Sequence, residues 1–452
     1  MDGRDDDDRM SSTTPPPSPP AVSPHELLAS RTYLGALILG AIVGVPVALV
    51  AYVFLLWIDQ AQRYVFTSLP VDLGFSVAPT WWPIPLLTFG GLLVGLIILR
   101  LPGTSGHEPA EGFKSSGAVE PIELPGIVLA SFATLSLGVV LGPEAPLIAI
   151  GSGLGVLAVR LFKRDAPAQA VAVIAAAASF AAISTLLISP LAAAFLLMEA
   201  SGIGGPMLGV VLVPGLLAAG VGFLIFIGLD NLTGFGTFSL AIPDIPSFGT
   251  PTGAELAWAI GIGIAAAILG GGIRHLALAL QPVVARHRVV VTPALGLAIG
   301  GLAVLFAATS GRSSSDVLFS GQSALPSLIE GAADWTVGAL VLLIVCKGLA
   351  YAAALSGFRG GPTFPGMFIG AAGGIALARL PGLPMIAGAA MGIGAMTVVM
   401  LGLPLTSVLL TMIFLSADAV TLTPLVIASV VVAYVASARL AFHPIGTMSR
   451  AP

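Results

Sequence analysis

Two ten-residue stretches decide the fold: Gly142-Pro-Glu-Ala-Pro-Leu-Ile-Ala-Ile-Gly151 and Gly361-Pro-Thr-Phe-Pro-Gly-Met-Phe-Ile-Gly370. Gly, Pro, Pro, Ile and Gly coincide without a gap, 219 positions apart. A second pair follows in the same order, Ser189-Pro-Leu-Ala-Ala-Ala-Phe-Leu-Leu-Met-Glu199 and Leu403-Pro-Leu-Thr-Ser-Val-Leu-Leu-Thr-Met-Ile413, offset by 214. Two matched pairs at nearly one offset predict two structural repeats. We place them at 31–230 and 254–445, with a polar, Gly/Pro-rich linker at 231–253. Such repeats are a common plan of membrane transporters, with the substrate site between them near the midplane. The exits of the two motifs differ in charge (Arg160, Lys163 and Arg164 against Arg379 alone), which hints at opposite sides of the membrane.

The surrounding chain fits that plan. Of 452 residues, 56% are hydrophobic and only 9% charged, with mean hydropathy +1.02. This excludes a soluble enzyme, a disordered chain and a nucleic-acid binder. Apolar runs of the length that spans a bilayer fill the chain after Arg31. They predict ten to fourteen membrane helices, several short or broken, in a multi-pass protein of the cell membrane. No alternating strand pattern points to a barrel. Residues 1–30 read as an acidic, Pro-rich tail and 446–452 as a short C-terminal one. The first nine residues hold five Asp and two Arg, and removing them takes the net charge from −4 to −1. The single cysteine, Cys346, reads as a small buried side chain.

Each Gly-Pro pair precedes an apolar helix, where proline fits the first turn. A helix that starts inside the membrane leaves N–H groups without water, and a bound anion satisfies them with help from the helix dipole. We therefore expect Gly142, Pro146, Gly361 and Pro365 to shape two helix starts that form an anion site without a cationic side chain. Glu144 lies inside the first motif. An intramembrane carboxylate is functional by default. Placed at a helix start, it would compete with the anion and act as a gate. Ser105 and Gly106, in Gly103-Thr-Ser-Gly-His-Glu-Pro-Ala-Glu-Gly112, are expected to offer a hydroxyl at a third helix start. His107, Glu108, Glu111 and Lys114 read as a solvated loop edge. Glu199 is expected to be a structural acceptor, with a proton path as its functional alternative. Lys347 is read as snorkelling or pairing with an acid, and Arg359 and Asp418 as lying near interfaces or cavities.

At these residues the chain resembles the CLC chloride channel and transporter family, whose markers run G-S-G-I-P, G-(R/K)-E-G-P and G-x-F-x-P within two inverted repeats. The matching stretches are Thr104–Pro109, Gly142–Pro146 and Gly361–Pro365, and the resemblance covers about residues 31–445. It implies an all-α CLC-like membrane fold and a homodimer with one anion pathway per subunit. Glu144 would be the gating glutamate and Ser105 the coordinating serine. Backbone amides near Ala145, Thr363 and Phe364 would hold chloride or a similar monovalent anion.

The departures are specific. Pro143 replaces the basic residue before the gate and Ala145 the glycine after it. Thr363 stands at the aromatic position, with Phe364 next. His443-Pro-Ile-Gly-Thr447 lacks the family tyrosine. Ala200 stands where antiporters carry their internal proton glutamate, and Glu199 matches the acid before it. The resemblance thus implies channel-like or weakly proton-coupled anion flux, with no enzyme activity, cofactor or metal. The alternatives are strict chloride/proton antiport, another repeat-built transporter for fluoride, nitrate or an organic anion, and, remotely, an intramembrane hydrolase using Ser105 in Gly103-Thr-Ser-Gly106.

Overall fold

The computed structural model describes residues 30–112, 117–202, 207–234, 248–415 and 419–440. The expectations for the N-terminal tail, Lys114, Asp418, the 443–447 stretch and most of the linker lie outside these residues. Sixteen α-helices are described: α1 (Arg31–Arg63), α2 (Leu69–Asp72), α3 (Pro83–Arg100), α4 (Leu124–Ser136), α5 (Glu144–Phe162), α6 (Ala168–Leu187), α7 (Pro190–Ser201), α8 (Met207–Thr233), α9 (Gly253–Arg286), α10 (Arg288–Ser310), α11 (Leu325–Glu330), α12 (Val337–Gly357), α13 (Thr363–Leu377), α14 (Met385–Leu401), α15 (Pro404–Leu415) and α16 (Ala419–Arg439). Among the described residues nine helical stretches are long and apolar enough to cross a membrane, and five further apolar helices are shorter. The protein is an all-α, multi-pass membrane protein.

Its outer surface shows the solvent it was built for. Leu34, Ile38, Ile42, Val45 and Leu49 form an exposed apolar stripe on α1, and Leu256, Ile260, Ile264 and Ile268 another on α9. Residues three and four apart share one helix face, so these stripes are continuous. In water they would be a liability; against lipid tails they cost nothing.

The helices repeat. α5, α6, α7 and α8 are followed in the same order by α13, α14, α15 and α16, and α7 and α15 both start at a proline and run for 12 residues. Small residues set how closely the helices pack. A Cβ on Gly151 or Gly155 of α5 would lie 2.7 and 2.9 Å from backbone atoms of α6. The matching positions of α13 behave alike, since a Cβ on Gly370 or Gly374 would meet the carbonyl oxygens of Gly392 and Gly388 on α14. Glycines one turn apart let two membrane helices touch backbone to backbone. The two pairs hold α5 and α13 in equivalent positions, with 12 of the 19 residues of α5 and 12 of the 15 of α13 buried.

The starts of α5 and α13 meet at the centre. Gly142 and Gly361 form an isolated antiparallel bridge, with Gly142 N donating to Gly361 O at 2.8 Å and Gly361 N to Gly142 O at 2.6 Å. Equivalent residues that bond reciprocally and antiparallel are what a two-fold axis between inverted repeats produces.

Candidate functional site: an anion pathway at two helix starts

Glu144 is the first residue of α5 and is fully buried. Its carboxylate reaches the other repeat. Oε1 accepts hydrogen bonds from Thr363 N at 3.0 Å and Phe364 N at 3.2 Å, the first two amides of α13. The other oxygen lies in a cradle made by two glycines: a Cβ on Gly142 or Gly361 would fall 2.1 or 2.0 Å from Oε2. The bridge thus leaves room for the carboxylate only because neither residue has a side chain. These amides have no acceptor one turn earlier, so the carboxylate fills the position of an anion. Tyr351 of α12, fully buried, donates its hydroxyl to Pro362 O at 2.5 Å and braces the turn into α13.

A cavity of about 350 Å³ approaches this point, lined by Thr104, Ser105, Ala145, Pro146, Arg359 and Pro362 among others. Ser105 Oγ is buried and has no hydrogen-bond partner among the described residues. The expected helix start at Ser105 is corrected. Gly103, Ser105 and Gly106 all have positive φ (65°, 54° and 96°). The chain then enters a single 3₁₀ turn, Pro109–Glu111. Consecutive left-handed residues cannot open an α-helix. Ser105 is presented by a tight turn, with its Oγ 3.0 Å from where a Cβ on Gly126 of α4 would lie.

The solvated edge expected around Glu108 is also corrected. Glu108 Oε1 receives Arg288 Nη2 at 3.2 Å and Arg359 Nη2 at 3.5 Å, and Oε2 receives Gln281 Nε2. Burial pushes the Glu108 carboxyl up, but Arg359, Gln281 and Arg288 more than offset that and hold it below the ordinary carboxylate range. Nothing local in Gly103–Gly112 signals these partners, which lie 173, 180 and 251 residues away. His107 Nε2 pairs with Gly112 O rather than with Ser105, and Glu111 remains exposed. Arg359 does border a cavity, as expected.

Two further residues take structural places. Lys347 does not snorkel. It is fully buried on α12, and its ammonium is surrounded by the carbonyls of Asp316, Val317, Leu318 and Phe319 at 2.9–3.3 Å. Glu199, at the end of α7, caps α15: Oε1 accepts from Leu405 N at 2.9 Å, and Oε2 from Thr406 N at 2.7 Å and Thr406 Oγ1 at 2.6 Å. Cys346 is buried and free.

The family model described as voltage-gated chloride channel matches residues 90–438. The chain belongs to that family. It is 32% identical over 354 residues to a Salmonella newport (strain SL254) chain bearing the ion-transport name YfeO, covering 77% of this chain and 81% of that one. Solved structures similar in fold include one described as a slow cyanobacterial Cl⁻/H⁺ antiporter (TM-score 0.72, 19% identity, 90% of this chain and 95% of that one). Another is described as a CLC-type fluoride/proton antiporter (TM-score 0.68, 19% identity, 90% and 96%). The sequence reading of an all-α CLC-like fold in a multi-pass membrane protein agrees with these findings. The family is one of ion transport, not of enzymes.

Proposed function

We propose that the protein moves chloride or a similar small monovalent anion through one pathway in each subunit of a homodimer, with Glu144 as the gate. The repeats at 31–230 and 254–445, joined by 231–253, are the two halves of that pathway. One observation carries the reading: the Glu144 carboxylate accepts the two leading amides of α13. A halide would take the same amides, so carboxylate and anion compete for one place. Gly142, Pro146, Gly361 and Pro365 keep side-chain bulk and extra donors out of that place. Ala145, Thr363, Phe364, Ser105 and Gly106 contribute the amides and hydroxyl that the anion meets on its way.

Coupling to protons is weak in this reading. Ala200 cannot carry a proton, and Glu199 is engaged by three donors as a cap. Strict anion/proton exchange is the second reading, favoured by the descriptions of the two antiporters of similar fold. Efflux from proteoliposomes with pH recorded alongside tests both. Chloride efflux that loses its pH dependence in Glu144→Gln is the expected result. Purified protein that moves no chloride would overturn the proposal, and stoichiometric proton uptake would establish exchange in place of weak coupling.

A further inference from the structure

Arg359 lies in the turn between α12 and α13, at the wall of the 350 Å³ cavity, and its side chain is only 3% exposed. A guanidinium stays charged at any physiological pH. Burial of a cation demands an opposite charge nearby. Most of what Arg359 touches is neutral: Nε and Nη2 donate to Thr104 O at 3.1 and 3.0 Å, and Nη1 to Phe358 O at 3.2 Å. Among the described residues its one bonded carboxylate is Glu108, at 3.5 Å the longest of these contacts. That carboxylate is shared with Arg288, which approaches closer. Two cations therefore draw on one negative charge. Arg288 Nη1 is itself buried without a partner among the described residues. Among the described residues, half-buried Glu123 and His107 are the other ionisable groups that line the cavity.

The unbalanced guanidinium and the unpartnered Ser105 hydroxyl border the same space. Thr104 links them, because its carbonyl holds Arg359 while Ser105 follows it in the chain. We propose that Arg359 and Ser105 form an anion station in this cavity, in which the transported anion supplies the charge that Glu108 only half provides. Arg359 is then a specificity-determining residue of the pathway, a basic side chain added to a site otherwise made of helix ends and a hydroxyl. The inference rests on the anion-transport reading above and names a further ligand for it. Four of the five guanidinium N–H groups are already committed, leaving one on Nη1. A single donor cannot present the two-pronged fork that selects carboxylates. The station therefore suits a spherical halide.

Calorimetric titration of the purified full-length protein with chloride, run beside liposome efflux, tests this. Arg359→Gln is expected to weaken chloride binding at least tenfold, and Arg359→Lys to restore part of it. Glu108→Gln removes the competing carboxylate and is expected to tighten binding several-fold, a gain that misfolding cannot imitate. Formate is expected to displace chloride only at concentrations above chloride's own. If wild type binds and moves chloride while Arg359→Gln and Glu108→Gln bind it with wild-type affinity, the station is wrong and the transport reading stands. If formate binds more tightly than chloride, the halide assignment falls. If wild type neither binds nor moves chloride, the transport reading falls and the station with it.

Discussion

Gly142 and Gly361, 219 positions apart, donate their amides to each other's carbonyls and together enclose one carboxylate oxygen of Glu144. The repeat seen in the sequence is therefore a physical contact. The two residues that open the two motifs touch at the axis relating them, and the candidate gate lies between them.

The first prediction concerns that carboxylate. A neutral amide at residue 144 competes poorly with an anion for the α13 amides, since hydrogen bonds to charged acceptors are roughly twice as strong as neutral ones. Glu144→Gln is expected to raise chloride efflux at neutral pH and flatten its pH profile. Wild-type efflux should rise as pH falls, because protonation discharges the competitor. Liposome efflux measured across pH 4–8 checks both.

The glycine cradle gives a second route to the same state. In Gly361→Ala the new Cβ would lie 2.0 Å from Glu144 Oε2, so the flexible carboxylate must leave. Efflux in this variant should resemble that of Glu144→Gln, although Glu144 is still present. The double variant should add little, because both changes act on one element.

Lys347→Met is expected to destabilise the protein. Removing the ammonium leaves the carbonyls of residues 316–319 without their shared donor, at about 1–3 kcal/mol for each of the buried ones, Val317 and Leu318, that stays unsatisfied. Phe319, at the end of this segment, donates its amide to Gly138 O just ahead of the Glu144 motif. Thermal unfolding in detergent should show a lower midpoint, and the efflux of surviving protein a loss of gating.

Glu199→Ala should cost about 1 kcal/mol, the usual loss on removing a helix N-cap. Any measured proton uptake should stay unchanged if the residue is a cap. A fall in proton uptake at unaltered thermal stability would instead assign Glu199 to a proton path.

Glu108 sets a pH-dependent share of stability. Its carboxyl is held below the usual range in the folded protein. Such a group contributes stability that is present above its unfolded pKa and is lost as pH falls through its folded one. Glu108→Gln should therefore unfold at a lower temperature than wild type at pH 7. The gap should close as pH is taken below about 4, which thermal scans at several pH values will show.

The sequence by itself determined the membrane class, the helical fold and the two-fold repeat. It also picked out Glu144, because an acid in an apolar run is costly enough to demand a reason. These features are local: hydropathy, Gly-Pro at a helix start and a motif that recurs. What the carboxylate touches was not local, since Thr363 is 219 residues away and only the packing of α5 against α6 and α13 against α14 aligns the two helix starts. The same holds for the Glu108 cluster, which reads as a wet loop until Gln281, Arg288 and Arg359 arrive from three distant elements. It holds for Ser105 as well, where left-handed backbone rather than a helix start presents the hydroxyl. Lys347 was legible as an anomaly but not as a donor to four carbonyls. A charge in an apolar chain announces itself in one dimension; its partner is chosen by which helices come together, and close approach of small residues decides that only in three.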